Sequence, residues 1–168
     1  QVEEVKNLFN QKRYKLAEEK FNQIISQNPE VEIPSIYQMA FQIEKSKGNT
    51  KAAIDTLQKA ITSFPYHESL KIRLAREFFN AGKLSECEKL CRQILERNNQ
   101  MTHAHILLGN VNLRLNKIAE ALINYERAAN LEPQNVMIKV NYASILMKNN
   151  ELRKSLDLVN ELGNKGNF

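Results

Sequence analysis

Apolar residues recur along this chain at helical spacing, and the same columns return at a fixed period. A step of 34 from Ala53 meets Cys87, Ala121 and Ser155. The same step from Leu57 meets Cys91, Tyr125 and Val159, and from Ala60 it meets Ile94, Ala128 and Leu162. From Thr50 it meets Leu84, Ile118 and Leu152. Backwards, at a step of 36, the columns hold Ala17, Phe21, Ile24 and Tyr14, with the two extra residues near Glu32 and Ile33.

Punctuation keeps the same period. Pro29, Pro65 and Pro133 share one column, with Asn99 in it once. Gly48, Gly82, Asn116 and Asn150 share another. Glycine and asparagine adopt the left-handed conformation that closes a helix, whereas proline cannot continue one. Each unit is therefore predicted to be two helices joined by a tight turn. First helices are predicted at 2–11, 34–47, 68–81, 102–115 and 136–148. Second helices are predicted at 14–27, 50–63, 84–97, 118–131 and 152–162.

These residues resemble the tetratricopeptide repeat, whose signature is an aromatic, Leu-Gly, Tyr, then Ala, an aromatic, Ala and Pro. The stretch 102–135 fits it best, with Leu108, Gly109, Ala121, Tyr125, Ala128 and Pro133. The resemblance implies an all-α, right-handed α-solenoid of about five helix-turn-helix hairpins. Its repeats are expected at about 1–31, 34–67, 68–101, 102–135 and 136–168, forming a single array read as a fragment of a longer chain. Three positions depart from the pattern. Phe41 stands where the family has a small residue at the helix crossing, and Glu44 and Asn112 stand where it prefers an aromatic. Looser or re-angled packing is expected where the first two units meet.

Composition fits a globular helical chain. Of the 168 residues, 42% are hydrophobic and 26% charged, with only 4 prolines and 5 glycines to interrupt helices. No run approaches the roughly 20 apolar residues of a membrane span. The net charge of +5 is interspersed, without the like-charge block that grips nucleic acid, so neither nucleic acid nor membrane is an expected partner. The compartment is not legible from the ends, and two cysteines make no secreted disulfide framework, which leans toward the cytoplasm.

Candidate chemistry is sparse. Cys87 and Cys91 lie one helical turn apart in core columns, and read as small buried hydrophobes. No Cys-x2-Cys pair or matching histidine supports a metal, and His103 and His105 point to different faces. His67 lies in a predicted turn without an evident partner. Carboxylates fall mostly at positions expected to face solvent. There is no phosphate loop, His-Glu-x-x-His or Gly-x-Ser-x-Gly, so an enzyme, a cofactor and a metal are not expected.

The resemblance implies instead that the first helices line a concave groove binding a protein or peptide. The candidate lining is Gln38, Gln42, Ile72, Arg73, Arg76, Phe79, Ile106, Leu107, Asn110, Arg114, Asn141 and Ser144, with Met39, Lys45, His103, Met137, Val140 and Met147 in the same inward columns. Arginines suit carboxylates, asparagines suit peptide amides, and apolar residues suit anchors, so the expected ligand carries apolar and acidic residues. The carboxylate clamp of chaperone-tail binders is not reproduced, since Val2, Lys6, Gln38 and Gln42 hold its positions. Nor is there an asparagine ladder, because that column reads Met39, Arg73, Leu107, Asn141. The alternative is a structural or self-associating module within a larger protein. Leu156, Leu158, Val159 and Leu162 would lack a following hairpin, and copies could form a homo-oligomer through such uncapped ends.

Overall fold

The computed structural model describes residues 2–27 and 34–165; Pro29 and the insertion near Glu32 and Ile33 lie outside the described residues. Among the described residues there are ten helices and no strand. They are α1 (Val2–Asn10), α2 (Tyr14–Gln27), α3 (Pro34–Ser46), α4 (Thr50–Ser63), α5 (Glu68–Asn80), α6 (Leu84–Arg97), α7 (Thr102–Arg114), α8 (Ile118–Leu131), α9 (Val136–Lys148) and α10 (Leu152–Lys165). The predicted helices are all present, within one residue at most ends. The contacts form two compact units, residues 1–77 and 78–168.

One backbone device closes every hairpin. Lys12, Gly48, Gly82, Asn116 and Asn150 all have φ between 57° and 76°. The next residue's N–H then reaches back to the helix, from Arg13 to the Leu8 carbonyl at 2.9 Å and from Lys117 to the Asn112 carbonyl at 2.8 Å. These are the bonds that satisfy the last carbonyls of a helix. Lys12 joins the column although lysine carries no left-handed preference.

In the first unit α1 packs on α2 and α3, α2 on α3, and α3 on α4. Val5, Ala17, Ile24, Met39 and Ile43 form a buried cluster, flanked by Leu8, Phe9, Tyr14 and Phe21. Met39, expected to face the groove, belongs instead to this core because its thioether fills the gap between hairpins. Phe21, Tyr37 and Phe64 continue it as edge-on ring pairs 6.4 and 6.0 Å apart.

Not every carboxylate faces solvent. Glu77 is 5% exposed, in a column that also holds Ile43, Val111 and Ile145. Burying a lone carboxylate is expensive. Lys45 removes that cost by placing Nζ 2.6 Å from Glu77 Oε2. Lys45 is therefore a core partner before it is a groove residue.

In the second unit α6 packs on α7, α7 on α8, α8 on α9 and α9 on α10. Ala121, Tyr125 and Ile145 form one buried cluster with Ile118, Leu122 and Tyr142 against it. Ala128, Ala129 and Ile138 form another. Cys87 and Cys91 are fully buried free thiols. The hydrogen bond with Cys87, reinforced by burial, pushes the Cys91 thiol far up and keeps it protonated. This is the chemistry of packing, because the thiolate is the reactive form.

Candidate functional site

The first helices carry the candidate residues, and each unit presents its own set. In the first unit Gln42 and Arg76 are exposed, and Gln38 and Arg73 are half-buried. The Arg73 guanidinium sits 5.3 Å from the Phe41 ring centroid, a cation–π contact that orients it. Phe41, bulky where other hairpins hold Ala75, Gly109 and Ala143, thus gives the arginine a platform. Ile72 is 8% exposed and lies behind the surface.

In the second unit the residues converge on a cavity. About 300 Å³ of space is lined by Ile106, Asn110, Leu113, Tyr125, Asn141, Ser144, Ile145 and Lys148. Asn110, Asn141 and Ser144 supply amides and a hydroxyl, and Ile106 and Ile145 supply apolar wall. Helical spacing explains the convergence: Ser144 and Ile145 stand three and four residues after Asn141 on α9, and four and three before Lys148. Tyr125 Oη donates to Asn110 Oδ1 at 2.6 Å, which fixes the amide's orientation. Burial raises the Tyr125 phenol above its usual value. Leu107 is 5% exposed and is not among the lining residues.

Arg114 and Phe79 are brought together. The guanidinium lies 4.1 Å from the Phe79 ring centroid, and Nη1 donates to the Phe79 carbonyl oxygen at 3.1 Å. Part of the Arg114 fork is therefore already spent inside the unit. Met137, Val140 and Met147 are exposed at 69%, 49% and 58%, and form an apolar stripe along α9.

Three features escaped the sequence reading. A cavity of about 440 Å³ opens between α2, α3 and α4, with Phe21, Tyr37, Ala40 and Ile43 among its walls and Glu44 and Lys59 at its edge. The signal for it is the departure at Glu44, which is among its lining residues. His67, read as unpartnered, has Nδ1 2.9 Å from Ser69 Oγ, a local bond made possible by the turn. His105 uses Nε2 on the Asn99 carbonyl oxygen at 3.0 Å, so it ties a helix to the preceding loop. Among the described residues no group of three metal-ligating side chains occurs, and no helix is long and apolar enough to cross a membrane.

Comparison with known proteins identifies the family. The family model for the tetratricopeptide repeat matches residues 3–159. Human RNA polymerase II-associated protein 3 is 30% identical over 118 residues, which is 67% of this chain and 18% of that protein. The chain thus spans under a fifth of that relative. The solved first tetratricopeptide domain of Spaghetti (RPAP3), bound to the HSP90 peptide SRMEEVD, is 25% identical with a TM-score of 0.62, covering 68% of this chain and 91% of that one. A crystal structure of MamA matches with a TM-score of 0.80 at 11% identity, over 98% of this chain and 97% of that one, which is a likeness of fold.

Proposed function

Because the chain belongs to the tetratricopeptide repeat family, we propose that it is a protein-interaction scaffold whose first helices bind a peptide segment carrying apolar and acidic residues. The observation that carries this reading is the cavity on α7, α8 and α9. There Asn110, Asn141 and Ser144 surround an apolar wall built by Ile106 and Ile145. Amides and a hydroxyl at a recess are suited to a peptide backbone, and the recess to one apolar anchor. Met137 and Val140, exposed on the same helix, extend the apolar contact. In the first unit, Arg73 and Arg76 are suited to acidic side chains, since a guanidinium bonds a carboxylate through two parallel N–H groups.

The peptide bound by the Spaghetti (RPAP3) domain joins Met and Val to two Glu and an Asp, the same combination. In this chain the clamp positions hold Lys6, Gln38 and Gln42, so the proposed ligand is an internal or helical segment and does not depend on a terminal carboxylate.

The test is selection of a random peptide library on the intact chain, followed by anisotropy titration of the enriched peptides, with SRMEEVD as comparator in free-acid and amidated forms. Enriched peptides are expected to combine apolar and acidic residues. They should bind Arg73→Glu/Arg76→Glu or Asn141→Glu/Ser144→Glu, according to which unit holds them, at least about tenfold more weakly, a loss of about 1.4 kcal/mol. If the enriched peptides bind both variants as tightly as the parent, the first-helix surfaces are not the site.

A further inference from the structure

The cavity on α2, α3 and α4 is a second recess of the first unit, and none of Gln38, Gln42, Arg73 and Arg76 lines it. Two small or polar residues of α3 open it. Ala40 stands in the column that holds Leu74, Leu108 and Tyr142. Glu44 stands in the column that holds Phe78, Asn112 and Leu146. Leu74, Phe78, Leu108, Asn112 and Leu146 are all buried, so each later hairpin packs these positions. In α3 the space stays open, at about 440 Å³. A void left beside a core costs stability.

The lining of that space is selective. Phe21 and Tyr37, edge-on with ring centroids 6.4 Å apart, give it an aromatic wall. Glu18, Glu44 and Asp55 line it from α2, α3 and α4. The Glu44 side chain is only 14% exposed. Lys47 bridges two of these carboxylates: its Nζ donates to Glu18 Oε2 and lies 3.3 Å from Glu44 Oε1. The chain thus already holds one cation between acids of two helices. Asp55 is exposed and has no ion pair among the described residues. Lys59 is the other cation of the wall, so three carboxylates face two ammonium groups.

An acidic group would be repelled by such a lining. A purely apolar group would strip water from Glu44 and return nothing to it. A lysine ammonium would have to shed a tight hydration shell. An arginine meets both halves of the cavity. Its guanidinium is planar and weakly hydrated, stacks on aromatic rings, and bonds a carboxylate through two parallel N–H groups.

We propose that this cavity receives an arginine side chain of a partner protein, its stem along Phe21 and Tyr37 and its guanidinium among Glu18, Glu44 and Asp55. Lys47 is then an internal competitor for the same carboxylates. This site is independent of the first-helix surfaces and calls for a ligand of the opposite charge.

The test follows backbone-amide NMR shifts of the intact chain while blocked tripeptides are added: alanyl-arginyl-alanine amide, and the same peptide with lysine, leucine or glutamate at its centre. The arginyl peptide should shift amides around Ala40, Glu44 and Thr56, with a dissociation constant of order millimolar. Asp55→Asn should weaken it about threefold or more, and Lys47→Met should tighten it by about as much, because two carboxylates lose their internal cation. Ala40→Leu restores the residue of the column and should abolish the shifts, while peptides selected on the first helices bind as before. Absence of shifts at these amides overturns the proposal, as does equal binding by the leucyl peptide or binding that survives both Ala40→Leu and Asp55→Asn. A lysyl peptide that binds as well overturns the guanidinium assignment. Free arginine that binds more tightly than the tripeptide overturns the partner protein in favour of a small metabolite. Weaker binding by Lys47→Met overturns the competition.

Discussion

Gly109 and Tyr125 are fitted to each other so closely that a Cβ built on the glycine would stand 2.5 Å from the Tyr125 Cδ2 atom. No carbon pair is stable at that separation, so the ring lies where only a glycine leaves room. The backbone of α7 and the ring of α8 thereby meet at one point, and the phenol reaches Asn110 on the cavity rim.

Gly109→Ala is therefore expected to destabilise the chain by about 1–3 kcal/mol, the usual cost of overpacking. The ring cannot swing aside without losing its bond to Asn110. In a Tyr125→Leu background, where the obstructing ring is gone, the same substitution should cost less than about 0.5 kcal/mol. Urea denaturation of the four proteins measures this coupling. Equal costs in both backgrounds would remove Tyr125 as the reason for the glycine.

Alkaline pH should loosen the same region. Burial raises the Tyr125 phenol. Burial and then Glu126 push Tyr142 up to about 12, from an ordinary value of 10. The folded chain then holds protons that the unfolded chain releases. Stability from these groups is complete below about pH 10 and falls as pH rises toward 12. Tyr142→Phe should flatten the decline of the urea midpoint between pH 9.5 and about 12. An unchanged slope in that variant would assign the decline to other groups.

The legible part of this molecule was whatever repeats. Columns such as Ala53, Cys87, Ala121 and Ser155 place all four side chains in buried positions, with exposures of 0 to 3%. Gly48, Gly82, Asn116 and Asn150 mark turns that do adopt positive φ. What repeats poorly was hidden. Glu77 in an apolar column reads as a surface carboxylate until Lys45, 32 residues earlier, is seen beside it. Ile72 and Leu107 lie in inward columns, yet neighbouring side chains bury them, a matter of third-dimensional packing that a column does not encode. On the cavity of the second unit Tyr125 Oη is bonded to Asn110 Oδ1, and no spacing rule carries that contact.

The turn column makes a separate prediction. Gly48 has φ of 76° and open space around its Cβ position, so Gly48→Ala meets no clash and its cost isolates backbone strain. That cost should be about 1–2 kcal/mol. Lys12 already bears this strain, with φ of 58°. Lys12→Gly should accordingly stabilise the chain by about 0.5–1 kcal/mol, read as a rise in urea midpoint. A destabilising Lys12→Gly would mean that the stem of the lysine contributes more than the strain removes.

The Lys45–Glu77 pair decides what a carboxylate is doing in an apolar column. Lys45 is about one-third exposed and Glu77 only 7% by side chain. Lys45→Met leaves the carboxylate buried without its cation, and should cost about 1–3 kcal/mol. Glu77→Ile restores the residue type of the column, as in Ile43 and Ile145. The double variant Lys45→Met/Glu77→Ile should then be as stable as the parent or more so, because replacing a buried pair with apolar side chains is often neutral or favourable. A double-mutant cycle in urea reads the coupling directly. If the double variant is as unstable as Lys45→Met alone, the pair is required for packing itself. If it is stable, the pair serves something other than stability, and the peptide-binding titration should be repeated on it, since Lys45 stands on α3 beside Gln42 and within reach of the same surface.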